Sequence, residues 1–337
     1  MKAGKFIYQC FGVCYNKNDH NKIESGDLIC GHEEYIARII FKNGIYKHMG
    51  QSFEDFFVNV MCKADPDFEP VKAYGRIGDQ KNDGFNRKAG IYYQVFAPED
   101  ITKSTTITEG VKKLENDFAG LYAHWNAICP IKKFCFVIND KYAGVPAPFI
   151  KKVMELEQSP LYQDVNISIF SAKDLEMVFE QLRDNQKYDV VGYFPSEDMS
   201  VIAYDALQET VVHLLGIELP QDFTDNLVVP DFDEKITFNG LTEIVSSRLK
   251  TGSYQDGILL EYFNNSPGTN AVLQKKFHGL YEQAKLAIDE TQDNFSDRRF
   301  FYILEQACVK KTLPIQTSVL VLMAHYFSSC DIFEEPQ

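Results

Sequence analysis

The stretch KKFCFVIND, residues 132–140, constrains the fold more than any other part of the chain. It is a short, nearly continuous apolar run of the kind found in strands buried on both faces. Such a strand needs a covering layer above and below, and the flanking sequence supplies both. Before it, residues 108–127 (TEGVKKLENDFAGLYAHWNA) place Val111, Leu114, Phe118, Leu121 and Trp125 on one stripe at helical spacing. After it come a helix near 147–157, an extended segment VNISIF, and a helix over 172–184 (AKDLEMVFEQLRD).

Upstream, residues 33–46 have a helical pattern, and Ser52 opens a firmer helix in which Phe53, Phe56, Phe57 and Val60 share a face. The turn DPDFEP ends it. Three extended segments follow: VKAYGRIGD (71–79), the region around DGFNRKAG, and IYYQVFAP (91–98). Asn-Asp-Gly and Lys-Ala-Gly mark the turns, the alternation in IYYQVF suits a half-buried strand, and Pro98 closes it. The order helix, three strands, helix, strand, helix, strand, helix predicts an α/β domain with a mixed sheet flanked by helices.

The character changes after YFPSEDM. A helix at about 200–215 leads into GIELPQDFTDNLVVPDFDEK, rich in Pro and Asp and the best linker candidate. Helices are then expected at 238–250, 254–264, 269–289, 296–310 and 314–328, so the chain divides into an α/β domain over 1–218 and a mostly α-helical domain over 226–337. A length of 337 residues suits two domains, and 45% hydrophobic with 13% aromatic residues excludes disorder. No apolar run is long enough to span a membrane and the start lacks a signal-peptide shape, so a soluble, cytoplasmic protein is expected. The eight cysteines are scattered, and Cys62, Cys129, Cys135 and Cys308 have apolar neighbours, as expected for reduced thiols acting as small core residues.

The net charge of −14 is unevenly spread. Residues 1–150 hold 19 Lys and Arg against 18 Asp and Glu, whereas residues 151–337 hold 15 against 30. The acidity belongs to the C-terminal half, so net charge neither supports nor excludes nucleic acid as a ligand of the first.

The chemistry-bearing segment is GRIGDQKNDGFNRKAGIYYQVFAP, residues 75–98. Asp79 and Asp83 lie four residues apart between two strands, and Gln94 follows in the middle of the next. Divalent-metal chemistry on phosphodiesters needs hard oxygen ligands that converge, with a lysine nearby for developing negative charge. Read without that context, the same residues form a polar hairpin and a satisfied core amide.

In order and spacing the segment resembles the PD-(D/E)xK nuclease superfamily, in its Mrr-like restriction-endonuclease branch, over roughly residues 33–185. The resemblance implies a restriction-endonuclease-like fold, with Asp83 as principal metal ligand, Gln94 at the Glu/Gln position and Asp79 as the first Asp of the turn. It also implies Glu54 as the helix carboxylate, with Mg2+ (or Mn2+) as cofactor and double-stranded DNA as substrate, though RNA shares such a site. Homo-oligomers are common among nucleases of this fold. One position departs: two residues after Gln94, where the family has lysine, stands Phe96. Either the lysine role has moved, to Lys81 or then Lys88, or the chain is a catalytically impaired adaptor that binds DNA or assembles a complex.

A second resemblance rests on FDEKITFNGLTEIV (232–245), SYQDGILLEYF (253–263) and CDIFEEP (330–336). These look like C-terminal domains of ABC-three-component bacterial systems, which overlap with Lamassu-type phage defence. That resemblance implies an SMC-like ABC ATPase and a small middle component as partners, and a basic partner surface would complement the acidic half.

Other constellations rank lower. Cys10, Cys14, Cys30 and His32 have zinc-compatible chemistry but not a common zinc spacing. His124, His213, His278 and His325 sit within helical patterns, as packed or surface histidines do. Lys141, after the buried strand, could approach a site at the strand ends. There is no GxxxxGK[ST] phosphate loop and no GxSxG elbow.

Overall fold

The computed structural model describes the backbone of residues 25–72, 80–194, 201–219, 231–266, 268–329 and 332–336, with side chains from residue 33. The cysteine and histidine set at 10, 14, 30 and 32 therefore lies outside the described side chains, as does Asp79.

A five-stranded sheet has the order β1-β2-β3-β4-β5, formed by Phe68–Pro70, Gly84–Asn86, Ile91–Phe96, Lys133–Ile138 and Asn166–Phe170. The first three strands form an antiparallel meander; β4 and β5 add in parallel, each after a helical crossover. These crossovers are α3 (Ser104–Trp125) and α4 (Ala147–Glu157). The apolar run at 132–140 thus forms the fully covered strand its composition calls for. Its alternate residues divide between two cores, Phe134, Phe136 and Ile138 joining α3 and α4, and Cys135 and Val137 the opposite layer. That layer is built by α1 (Ser25–Lys47), α2 (Gln51–Ala64) and α5 (Ala172–Glu180).

Two glycines shape the strands beside Asp83. Gly84 has no room for a side chain: a Cβ there would lie 2.3 Å from the Phe68 ring on β1. Gly90, in the turn between β2 and β3, has φ +69°, a left-handed conformation that side chains resist.

The second half is helical: α6 (Asp184–Val191), α7 (Tyr204–Gly216), α8 (Phe232–Phe238), α9 (Glu243–Ser253), α10 (Asp256–Asn265), α11 (Thr269–Ala287), α12 (Phe295–Ala307) and α13 (Leu313–Ser328). Helix α13 is apolar almost all round and accordingly central, packed among α7, α9, α10, α11 and α12. These helices also pack on the α/β part through α1, and one continuous apolar core runs through both. Glu33 and Arg248 form a buried ion pair at 2.8 Å across this junction, with Tyr193 accepting from Arg248 at 2.9 and 3.0 Å.

Several boundaries differ from the sequence expectation. A strand falls at 68–70, inside the stretch read as a turn, and most of the segment read as extended at 71–79 lies outside the described residues. The single helix expected over 172–184 stops at Glu180, and α6 begins at Asp184. The helix expected at 238–250 is two, broken at Asn239 and at Gly240 with φ +61°, and FDEK at the end of the linker candidate already belongs to α8. Its aspartate-rich character has a local cause, because the Asp231 carboxylate caps α8 by accepting from the Asp233 and Glu234 amides. Cys135 is buried as expected, but Cys62 is exposed on α2, turned from the face that carries Phe57 and Met61. No helix among the described residues is long and apolar enough to cross a membrane.

Candidate functional site

Asp83 is fixed by the sheet before its side chain does anything. Its amide donates to the Tyr93 carbonyl at 3.0 Å, and its carbonyl accepts from Val71 at 3.2 Å. The carboxylate, on a residue only 2% exposed, points across to β3. There Oδ2 accepts from Gln94 Nε2 at 2.8 Å and from the Val95 amide at 2.6 Å. Gln94 is 3% exposed, and its Oε1 has no hydrogen-bond partner among the described residues. Neighbouring Asn82 is fully buried; its Oδ1 accepts from the Gly84 amide, while its Nδ2 has no partner among the described residues. Two orphaned polar atoms beside a buried carboxylate form an unusual cluster for a protein interior.

Gln94 shares a face of β3 with Tyr92 and Phe96, and that face meets α3. On α3, Asp117 is 2% exposed and lies among Leu114, Phe118 and Leu121. It binds two lysines: Lys81 at 2.9 Å through Oδ1, and Lys113, one helical turn before it, through Oδ2. Lys81 reaches α3 from a loop in which both Gln80 and Lys81 have positive φ, +54° and +67°. Its stem crosses α3 at Gly120, where an added Cβ would meet it at 3.2 Å.

The remaining candidates are dispersed. Lys88 sits in the turn at the opposite end of β2, exposed and paired with Asp67 at 2.6 Å. Glu54 lies in the first turn of α2, which docks by Gly50 on the Ala97 carbonyl just beyond β3, and it accepts from Gln51 at 3.0 Å. Lys141 donates to the Glu99 carbonyl at 2.9 Å. His213 meets the Gln306 carbonyl at 3.1 Å and His325 meets Asp256 at 2.6 Å. At the family's lysine position, the Phe96 ring stacks on Phe136, with centroids 5.9 Å apart, and lies near Phe149 and Gly110. Phe96 is half-buried there, packed against the edge of the aromatic core.

Sequence reading passed over Asp117, Lys113 and Asn82. A signal for Asp117 was present: it lies at helical spacing between Leu114 and Leu121, a charge on an apolar stripe. Among the described residues no three His, Cys, Asp or Glu side chains converge as a metal cluster. The oxygen donors at hand are the Asp83 carboxylate and the unpartnered Gln94 Oε1, hard ligands of the type Mg2+ and Mn2+ take.

Residues 205–334 match the family model described as C-terminal domain 10 of the ABC-three component (ABC-3C) systems. The match begins within α7, upstream of the residue 226 at which the resemblance was placed, and it associates the chain with these systems. No curated protein and no solved structure matches the chain.

Proposed function

We propose that this chain is the nuclease-bearing component of an ABC-three-component defence system, with a metal-dependent endonuclease of PD-(D/E)xK type in its α/β part. The supporting observation is the junction of Asp83, at the entry to β2, with Gln94 in the middle of β3. Around it lies the order helix, three-stranded meander, helix and parallel strand. In this reading Asp83 and Gln94 Oε1 hold Mg2+ or Mn2+, joined by Asp79. The metal would polarise the phosphodiester and lower the pKa of the attacking water. Lys81 supplies positive charge for the phosphate oxygens, and Asp117 positions it with Lys113 alongside. The segment matched at 205–334 docks the chain onto the other components, an SMC-like ABC ATPase and a small middle protein. Double-stranded DNA is the proposed substrate, and a homo-oligomer would pair two sites for its two strands.

A second reading is favoured by Phe96, whose ring packs on Phe136 and Phe149, and by the 2% exposure of Asp83. On that reading the module is a catalytically impaired adaptor that uses the fold for DNA contact or assembly. Metal binding separates the two. Titration calorimetry with Mn2+ should show a binding event for the full chain that Asp83→Asn removes. Absence of binding in the folded wild type, or binding unchanged in the variant, would favour the adaptor.

A further inference from the structure

Where α1 passes α12, a cavity of about 340 Å3 opens between the α/β part and the C-terminal helices. That volume is within the range of about 300–1,000 Å3 typical of small-molecule sites. The charged residues lining it are Lys47, Lys141 and Arg298, with no carboxylate among them. Tyr302 and Ile288 supply aromatic and apolar wall.

Arg298 is the informative member. It is only 3% exposed, yet no ion pair to it is seen among the described residues. Neutral groups hold its guanidinium: Nε donates to Asn43 Oδ1 at 3.0 Å, Nη1 donates to Gln292 Oε1 at 2.6 Å, and the group lies 4.6 Å from the Tyr46 ring centre. Nη2 has no hydrogen-bond partner among the described residues. Burial lowers the guanidinium pKa from the usual arginine value, opposed by the Tyr46 hydroxyl, which hydrogen-bonds the group, and more weakly by Asp293. An arginine stays protonated in proteins regardless, so this buried positive charge has no paired counterion among the described residues. Of the two lysines that line the cavity, Lys47 pairs with Glu305 at 3.0 Å and Lys141 donates to the Glu99 carbonyl at 2.9 Å.

We infer that this cavity binds a small phosphate-bearing anion, with a mononucleotide the class that fits its size and lining. The phosphate oxygens pair with the Arg298 guanidinium and with the lysines, in the charge-assisted geometry that guanidinium favours. The planar base lies against Tyr302 and Ile288. Because α1 and α12 both line it, the ligand would touch both halves of the chain. The site is separate from the Asp83 pair and does not depend on the nuclease reading.

The test is thermal denaturation of the full chain in EDTA, which keeps any metal site silent, with AMP, ATP, inorganic phosphate or adenosine. At a hundredfold excess over Kd, AMP or ATP should raise Tm by roughly 3–6 °C, while adenosine should not. The rise should vanish in Arg298→Gln and shrink in Lys141→Ala, a less buried change that carries the test if the first does not fold. An equal rise with phosphate alone would keep the site and assign it to free phosphate. No rise with any phosphate compound, or a rise untouched in Lys141→Ala and in folded Arg298→Gln, would overturn the proposal and leave Nη2 to a buried water.

Discussion

Gln94 gives its amide nitrogen to the Asp83 carboxylate at 2.8 Å, joining two residues eleven apart in sequence through the pairing of β2 with β3. The Val95 amide donates to the same oxygen. Two buried donors therefore depend on one acceptor. Asp83→Ala should cost about 1–3 kcal/mol for each donor left unsatisfied, whereas Asp83→Asn, which keeps an acceptor oxygen, should cost less. Denaturant midpoints of the two variants measure this difference; equal midpoints would mean that water takes over the acceptor role.

Restoring the family's lysine should not restore the family's site. Phe96 is half-buried and packed on Phe136 and Phe149, so Phe96→Lys removes aromatic contact and should destabilise by about 1–3 kcal/mol. Urea unfolding reads this directly. A Phe96→Lys protein as stable as wild type, with faster cleavage, would show that the position still belongs to the site.

Lys81 carries the charge assigned to phosphate oxygens; its side chain is about half exposed and Lys113 still pairs with the buried Asp117, so its loss should cost folding only modestly. Lys81→Met should lower the cleavage rate by roughly 10²-fold or more while Tm stays near wild type. An unchanged rate in a folded Lys81→Met protein would remove Lys81 from the site and leave Lys113 to be tested the same way.

The Glu33–Arg248 pair ties the α/β part to the C-terminal helices with both partners buried. Breaking such a pair from one side leaves an uncompensated charge, so Arg248→Met should cost about 3–5 kcal/mol. The companion change Glu33→Leu in the same chain should recover part of that loss. Because one apolar core spans both parts, unfolding should be a single transition by circular dichroism and by fluorescence. Two separated transitions in the wild type would contradict the continuous core.

Much of this was legible in the sequence where the signal was local. The segments IYYQVF and KFCFVI became β3 and β4, although β3, expected to be half-buried, is covered on both faces. Asp83 and Gln94, picked out by spacing and by the nuclease resemblance, are brought together. The β1 strand was missed because three residues ending in proline carry no period, and DPDFEP has the composition of a turn. The break between α5 and α6 hid in a helical pattern that continues through Leu182. Asp117 escaped because its role depends on Lys81, which is 36 residues away in sequence and reaches it only through tertiary packing. The cavity at Arg298 is likewise built from α1 and α12, more than 250 residues apart, and no local pattern encodes it.

The most direct measurement is cleavage of supercoiled and linear double-stranded DNA by the full chain, alone and co-expressed with its ABC-three-component partners. Mg2+, Mn2+ and EDTA are compared, with Asp83→Asn run beside wild type. The expected result is metal-dependent nicking that EDTA and Asp83→Asn both abolish while the variant remains folded and keeps its partners. Cleavage that survives in folded Asp83→Asn, or no cleavage by the partner-bound wild type with either metal, would contradict a nuclease centred on Asp83.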